Sequence, residues 1–332
     1  MTQIRSVATI GIACAMVAST AFTLNDVGIK FLSGDYPLHQ IVFFRTLVAL
    51  ALTLGVIIPL EGGFQLVKTR HLKMHLFRGL SVVCANMVFF MGLAALPLSE
   101  ATAIFFISPL VITAFSVIFL AERVGLRRWI AVIAGLVGAL VIIRPGTEAF
   151  QLAALLPALA AVAYATLHML TRKIGRLEKA STMALYTHLT FLLVSSCVGL
   201  VAGDGTYATS IHPSIDFLTR PWVMPPTRDI WIMAGIGMAS GTGGYFITQA
   251  YRTCEAALIA PFEYLALVLA IFWGVIIFSE WPDTWAWTGI SMILGAGLFV
   301  IWREAVLKKR LALSLSLSNG PILKERICDK IK

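Results

Sequence analysis

About ten apolar stretches, each near the length that crosses a bilayer, fill almost the whole of this chain. They fall at roughly 7–31, 38–60, 75–96, 101–121, 127–144, 150–170, 183–203, 229–250, 256–279 and 284–302. A hydrocarbon core ~30 Å thick takes about 20 helical residues at ~1.5 Å rise each. The blocks therefore predict an all-α integral membrane protein with ten transmembrane helices. Joints as short as Pro97 to Glu100 force antiparallel neighbours and a compact bundle.

Charged residues make up 13% of the chain, about half the ~25% usual in a soluble domain. The net charge of +9 does not point to nucleic acid, because the basic residues sit between the apolar blocks and in the tail, as membrane flanks do. With the N-terminus on the cytoplasmic side, twenty-one of the 26 Lys and Arg residues fall on that side. The exceptions are Lys30, Arg45, Arg144, Arg220 and Arg228. Both termini are thus expected in the cytoplasm, and the membrane is expected to be a bacterial inner membrane. Ala13-Cys14-Ala15 mimics a cleavage site, but the apolar run continues to about Phe31, so an uncleaved first helix is expected. The five cysteines are isolated and imply neither a disulfide framework nor a metal site.

The blocks divide near residue 147 into two halves of five that resemble each other. Ser99-Glu100-Ala101 opens an apolar run in the first half, and Cys254-Glu255-Ala256 opens one in the second. The runs close on Ala121-Glu122-Arg123 and Ser279-Glu280-Trp281, and a Trp follows seven residues after each closing Glu, at Trp129 and Trp287. In register, Asp26 faces His168, Lys30 faces Arg172, Phe90 faces Tyr245, and Ala95-Leu96 faces Ala250-Tyr251. One gap is needed, because the landmark glutamates are 22 residues apart in one half and 25 in the other. An odd number of spans per copy turns the second copy upside down. The expected architecture is two inverted five-helix repeats, 7–146 and 150–302, around a central cavity, followed by a basic, mobile cytoplasmic tail at 303–332.

An ionisable group inside a span is costly and is a functional candidate by default. Arg45 lies about seven residues into the second helix and needs either an anionic solute group or a carboxylate such as Asp26. Asp26 itself faces the transport path or pairs with Lys30, four residues on; Asn25 beside it is expected to point elsewhere. Glu263 follows Pro261, whose missing donor frees carbonyls, and Pro109 does the same in the corresponding helix. Glu263 would hold a cation or a proton, or make a hydrogen bond within the bundle. His168 and His188 either take up a proton or pack as neutral rings. Asn86, Tyr164, Tyr245, Gln249 and Tyr264 offer polar contacts to a ligand, or interhelical hydrogen bonds.

Glu100, Glu122, Glu255 and Glu280 read as helix-end and hinge residues. The eighth span carries Gly235, Gly237, Gly241, Gly243 and Gly244, with Gly237 and Gly241 forming a small-xxx-small face for close packing. The long connection at 203–228 is placed outside, as a partial lid or a plain irregular link. No zincin, nucleophile-elbow or Walker pattern occurs, which leaves ATP-driven pumping and membrane hydrolysis without support. No cofactor or metal is expected. The partners are the bilayer, a small-molecule solute and, as one option, a coupled proton.

The stretch Arg78-Gly79, then Ala95-Leu96-Pro97-Leu98-Ser99-Glu100-Ala101-Thr102-Ala103, Ser108-Pro109, Ala121-Glu122-Arg123 and Gly135 to Pro145-Gly146 resembles the EamA repeat of the drug/metabolite transporter superfamily. Gln249-Ala250-Tyr251 through Pro261-Phe262-Glu263-Tyr264 to Glu280 is similar in the second half. With Phe43-Phe44-Arg45, the detail looks most like the branch that includes S-adenosylmethionine uptake carriers. The resemblance implies ten helices, two inverted five-helix repeats, a central cavity and secondary transport, and with the buried charges the expected function is a secondary carrier for a small polar, charged or zwitterionic metabolite. A non-transporting membrane sensor or scaffold is the competing reading.

Overall fold

The computed structural model describes residues 2–120, 126–147, 151–174, 178–208, 212–253 and 262–318. Among them there is no β-strand. The helices are α1 (Thr2–Leu32), α2 (Leu38–Leu52), α3 (Ile58–Glu61), α4 (Leu72–Leu93), α5 (Leu98–Phe105), α6 (Ser108–Leu120), α7 (Leu126–Ile143), α8 (Leu155–Ile174), α9 (Ala180–Ala202), α10 (Pro213–Thr219), α11 (Thr227–Thr253), α12 (Leu265–Phe278) and α13 (Thr284–Ser318). Five segments among the described residues are long and apolar enough to cross a membrane: Thr9–Leu32, Leu38–Glu61, Leu72–Leu93, Ala180–Ala202 and Thr227–Tyr251. Five shorter apolar helices lie at Leu98–Ile112, Trp129–Ile143, Leu152–Leu167, Leu265–Phe278 and Thr284–Phe299.

Prolines explain where the apolar blocks are interrupted. Pro59 has no amide to donate to Gly55, and the helix widens to π-turns over Thr53–Ile57 before resuming as α3. Pro109 likewise cannot donate to Phe105, and the fourth block breaks between the end of α5 at Phe105 and the start of α6 at Ser108. The corresponding Pro261 lies outside the described residues, as do Glu122 and Glu255. Two expectations change. The connection at 203–228 is not irregular throughout but holds α10, which His212 caps by accepting from the Ser214 amide. The last helix does not close near residue 302, because α13 runs on as one helix to Ser318.

Packing follows a limited set of partners. α1 runs along α11 and α4 along α8; α11 also lies on α2, and α4 on α9. α6 packs on α8 and α12 on α1, while α7 pairs with α13, α2 with α9 and α5 with α12. A Cβ added at Gly289 would lie 2.5 Å from the Gly138 carbonyl, so α7 and α13 cross at backbone distance. One connected apolar core runs through the bundle, from Ile29 and Leu38 through Phe90 and Ile104 to Leu267 and Ile293.

The connection at 203–228 is strapped across one end of the bundle. Arg220 donates to the Ser33 and Gly34 carbonyls, Gln40 makes two hydrogen bonds to Val223, and Trp222 lies against His39, Phe43 and Phe44. At the opposite end, Glu61 accepts from the Ser181 amide, Thr182 donates to the Leu66 carbonyl and Thr69 donates to Glu178.

Candidate functional site

The buried stripe of α2 is Leu38, Ile41, Val42, Arg45 and Ala49, the spacing of one helix face. Arg45 therefore enters the bundle where an aliphatic side chain would be expected, at 2% exposure. A bare guanidinium at such a site is costly, and three contacts offset the cost. Its Nη1 donates to Asn25 Oδ1 at 2.8 Å, and its plane lies 5.2 Å from the Phe90 ring and 5.1 Å from the Phe191 ring. Each such cation–π contact contributes about 0.5–2 kcal/mol, more when desolvated. Asn25 in turn donates from Nδ2 to Asp26 Oδ1 at 2.9 Å. Asn25 does not point away from the site; it is the neutral link between the two charges, so Arg45 reaches Asp26 through an amide rather than as an ion pair. His188 on α9, 5% exposed, is close enough to feel the charge of Arg45. Arg45 Nε and His188 Nε2 are both buried without a hydrogen-bond partner.

Lys30 does not pair with Asp26 either. Its ammonium meets Glu280 at 2.7 Å and donates to the Leu96 carbonyl at 2.5 Å, so Glu280 is an ion-pair partner as well as a helix-end residue.

A second, acidic pole forms around Glu263, just before α12. Tyr251, at the end of α11, donates its hydroxyl to Glu263 Oε1, and Tyr164 on α8 and Tyr264 both lie within its electrostatic reach. Arg78 on α4 also acts on Tyr164, and its Nη1 donates to Thr187 Oγ1 at 2.9 Å. Tyr264 stacks on Phe106 with ring centroids 5.1 Å apart. Its hydroxyl has no hydrogen-bond partner and points at Gly297, where an added Cβ would sit 1.6 Å away.

Aromatic rings join the two poles. Phe90, under Arg45, contacts Phe89 at 5.5 Å, and Phe89 contacts Phe105 at 5.1 Å. The break before Pro109 then sends consecutive rings to different tyrosines, Phe105 to Tyr164 at 5.2 Å and Phe106 to Tyr264. Sequence reasoning missed these phenylalanines, along with Asn25 and Tyr251. The usable signal was the position of Phe105 and Phe106 one turn before a mid-span proline.

The remaining candidates are less engaged. Asn86 is half-buried and donates back to the Val82 carbonyl of its own helix. Tyr245 meets Phe246 edge-on at 5.5 Å. Gln249 Oε1 is buried without a hydrogen-bond partner. The side chain of His168 lies outside what is described.

A model of the EamA-like transporter family matches residues 9–144. The riboflavin transporter of Brucella anthropi is 27% identical over 88% of this chain and 97% of its own length. The S-adenosylmethionine uptake transporter of Rickettsia felis is 26% identical over 89% and 93%, and the pseudopaline exporter of Pseudomonas aeruginosa is 26% identical over 86% and 94%. One solved crystal structure aligns with TM-score 0.62 at 17% identity, over 92% of this chain and 99% of the other, a likeness of fold alone. Residues 9–144 are thus similar to the EamA-like transporter family, and the chain is similar along most of its length to proteins named as transporters.

Proposed function

We propose that this protein is a secondary carrier, working by alternating access, for a small metabolite that bears an anionic group and a flat ring. The carrying observation is Arg45: a fully buried cation, tied to a neutral amide rather than to a carboxylate, with Nε unpartnered. A purely structural arginine in a membrane bundle would be expected to pair with an acid. Arg45 and the neighbouring His188 would bind the anionic group, the rings from Phe90 to Tyr264 would accept the flat moiety, and Glu263 or Asp26 would hold a cationic group or the coupled proton. The named relatives suit the ring part of this reading, since riboflavin and S-adenosylmethionine both contain ring systems.

The proposed architecture is ten spans in two inverted repeats, 7–146 and 150–302, with both termini in the cytoplasm of a bacterial inner membrane. Its support is the pairing of contacts: α1 on α11 matches α8 on α4, α2 on α11 matches α9 on α4, and α12 on α1 matches α6 on α8. Those are the partnerships that exchanging one half for the other would produce.

Reconstituted vesicles test the proposal. A solute panel including S-adenosylmethionine and riboflavin, with and without a proton gradient, should show saturable uptake of at least one solute. Arg45→Ala should abolish it, and Glu263→Gln should remove its dependence on the gradient. Full uptake by both variants would overturn the assignments.

A further inference from the structure

We infer that Lys30 and Glu280 form a latch that closes the outer mouth of the translocation path, a reading that rests on the carrier proposal above. The local structure is built to present the acid. α12 ends on Ser279 in the left-handed conformation, φ 55°, and the Glu280 amide turns back to the Gly274 carbonyl at 3.0 Å. That reversal swings the Glu280 carboxylate towards the first half of the chain. There it accepts from Lys30 at 2.7 Å through one oxygen and from the Leu98 amide at 2.9 Å through the other. Lys30 closes the ring by donating to the Leu96 carbonyl, and its ammonium lies 5.2 Å from the Phe278 ring.

One residue after α12 thus grips two elements from the other half, the end of α1 and the α4–α5 joint. The Lys30 side chain is 10% exposed and that of Glu280 25%, so the pair is sheltered but not sealed inside the bundle. Glu100 also acts on Lys30, Arg144 acts on Glu100, and Arg144 pairs with Asp283. The result is one charged network across the ends of α1, α5, α7, α12 and α13. By the orientation proposed above, this is the outer end.

The chemistry suits a seal that must open. Apolar packing between helices resists water until the helices separate fully. A charged pair at the rim exchanges its partner for water once separated, so the open state is not penalised by buried, unpaired charge. The ties at the opposite end, such as Glu61 to Ser181, do not involve this network.

Thr102 reports on the latch. It lies one turn below Leu98 on α5, is 5% exposed, and its hydroxyl has no hydrogen-bond partner, so Thr102→Cys removes no hydrogen bond. In the full-length protein with its native cysteines replaced, a membrane-impermeant maleimide is applied to right-side-out and to everted vesicles. Thr102→Cys alone should label slowly from the outer face. Adding Lys30→Met or Glu280→Gln should speed that labelling about tenfold or more, each ~1.4 kcal/mol of closing energy removed being tenfold in the open fraction. The exchange Lys30→Glu with Glu280→Lys should slow it again. Unchanged labelling, or a rise equal from both faces as misfolding gives, would overturn the latch. A rise from the everted face alone would uphold the latch and reverse the orientation. No substrate is needed, so the two proposals fail separately: flat labelling with Arg45-dependent uptake leaves a carrier without this latch, and latched labelling without uptake leaves the reverse.

Discussion

Gly237 sets how close α11 comes to the helix that carries Arg45, and Gly237→Ala should pull them apart. A Cβ there would sit 2.5 Å from the Arg45 carbonyl oxygen, 2.7 Å from Val48 Cβ and 3.1 Å from Arg45 Cα. Two of these three atoms are helix backbone and cannot rotate aside. Restoring an ordinary 3.4 Å contact needs a shift of about 0.9 Å. A gap of that size forfeits about a quarter to a half of each dispersion contact along the seam, and overpacking of this kind costs ~1–3 kcal/mol. Alanine returns ~1 kcal/mol of helix propensity, so the net expectation is a loss of up to about 2 kcal/mol. The same helix supplies controls. At Gly241 the nearest atoms are at 3.2 Å, so clash and propensity should nearly cancel; at Gly244 nothing lies within 4 Å, and Ala should be neutral or stabilising. Multipass proteins commonly unfold irreversibly, so the appropriate assay is inactivation half-life in mild detergent. The expected order is Gly244→Ala longest, Gly241→Ala near wild type and Gly237→Ala shortest. Equal half-lives for Gly237→Ala and Gly244→Ala would refute the close crossing.

Other outcomes follow from single contacts. Asn25→Asp would place a carboxylate where Asn25 Oδ1 now meets Arg45 at 2.8 Å and would set it against Asp26, which loses the Nδ2 donor; uptake assays should show KM raised several-fold, because the guanidinium becomes paired, and detergent half-lives should shorten. Asn25→Leu instead strips a partner from Arg45 and from Asp26, and should cost about 1–2 kcal/mol, the upper end for polar contacts between membrane helices; detergent half-lives measure it. Gly297→Ala must displace the Tyr264 ring, and Tyr264→Phe should not rescue it, because a ring carbon lies only 2.3 Å from the added Cβ; yield of monodisperse protein is the readout. Asp283 accepts from Arg144, which holds its carboxyl below the usual carboxylate value. The stabilisation is therefore present above about pH 4 and lost as the pH falls further. With the Asp283 side chain 50% exposed the effect is small, and a thermal-stability profile against pH should lose it in Arg144→Gln.

What was legible in the sequence is what one helix dictates by itself. Apolar blocks place the spans, and Pro109 places an interruption, because a missing amide acts within its own turn. Arg45 was legible as a buried charge because Ile41, Val42 and Ala49 share its face. Its partner was not. Neighbouring residues on α1 point about 100° apart, and only the rotation of α1 against α2 decides whether Asp26 or Asn25 meets the guanidinium. That rotation is fixed by the long seam with α11, some two hundred residues away in sequence. The same holds for Lys30, whose nearest acid in sequence is Asp26 but whose partner in space is Glu280. A charge inside a membrane bundle is constrained to find a partner, yet the bilayer gives it no reason to find a local one. The identity of the partner therefore carries information that the buried charge alone does not. On the proposed function, an amide facing Arg45 leaves the cation available to an anionic solute. A carboxylate facing Lys30 neutralises it in place, which suits the proposed latch better than a binding site.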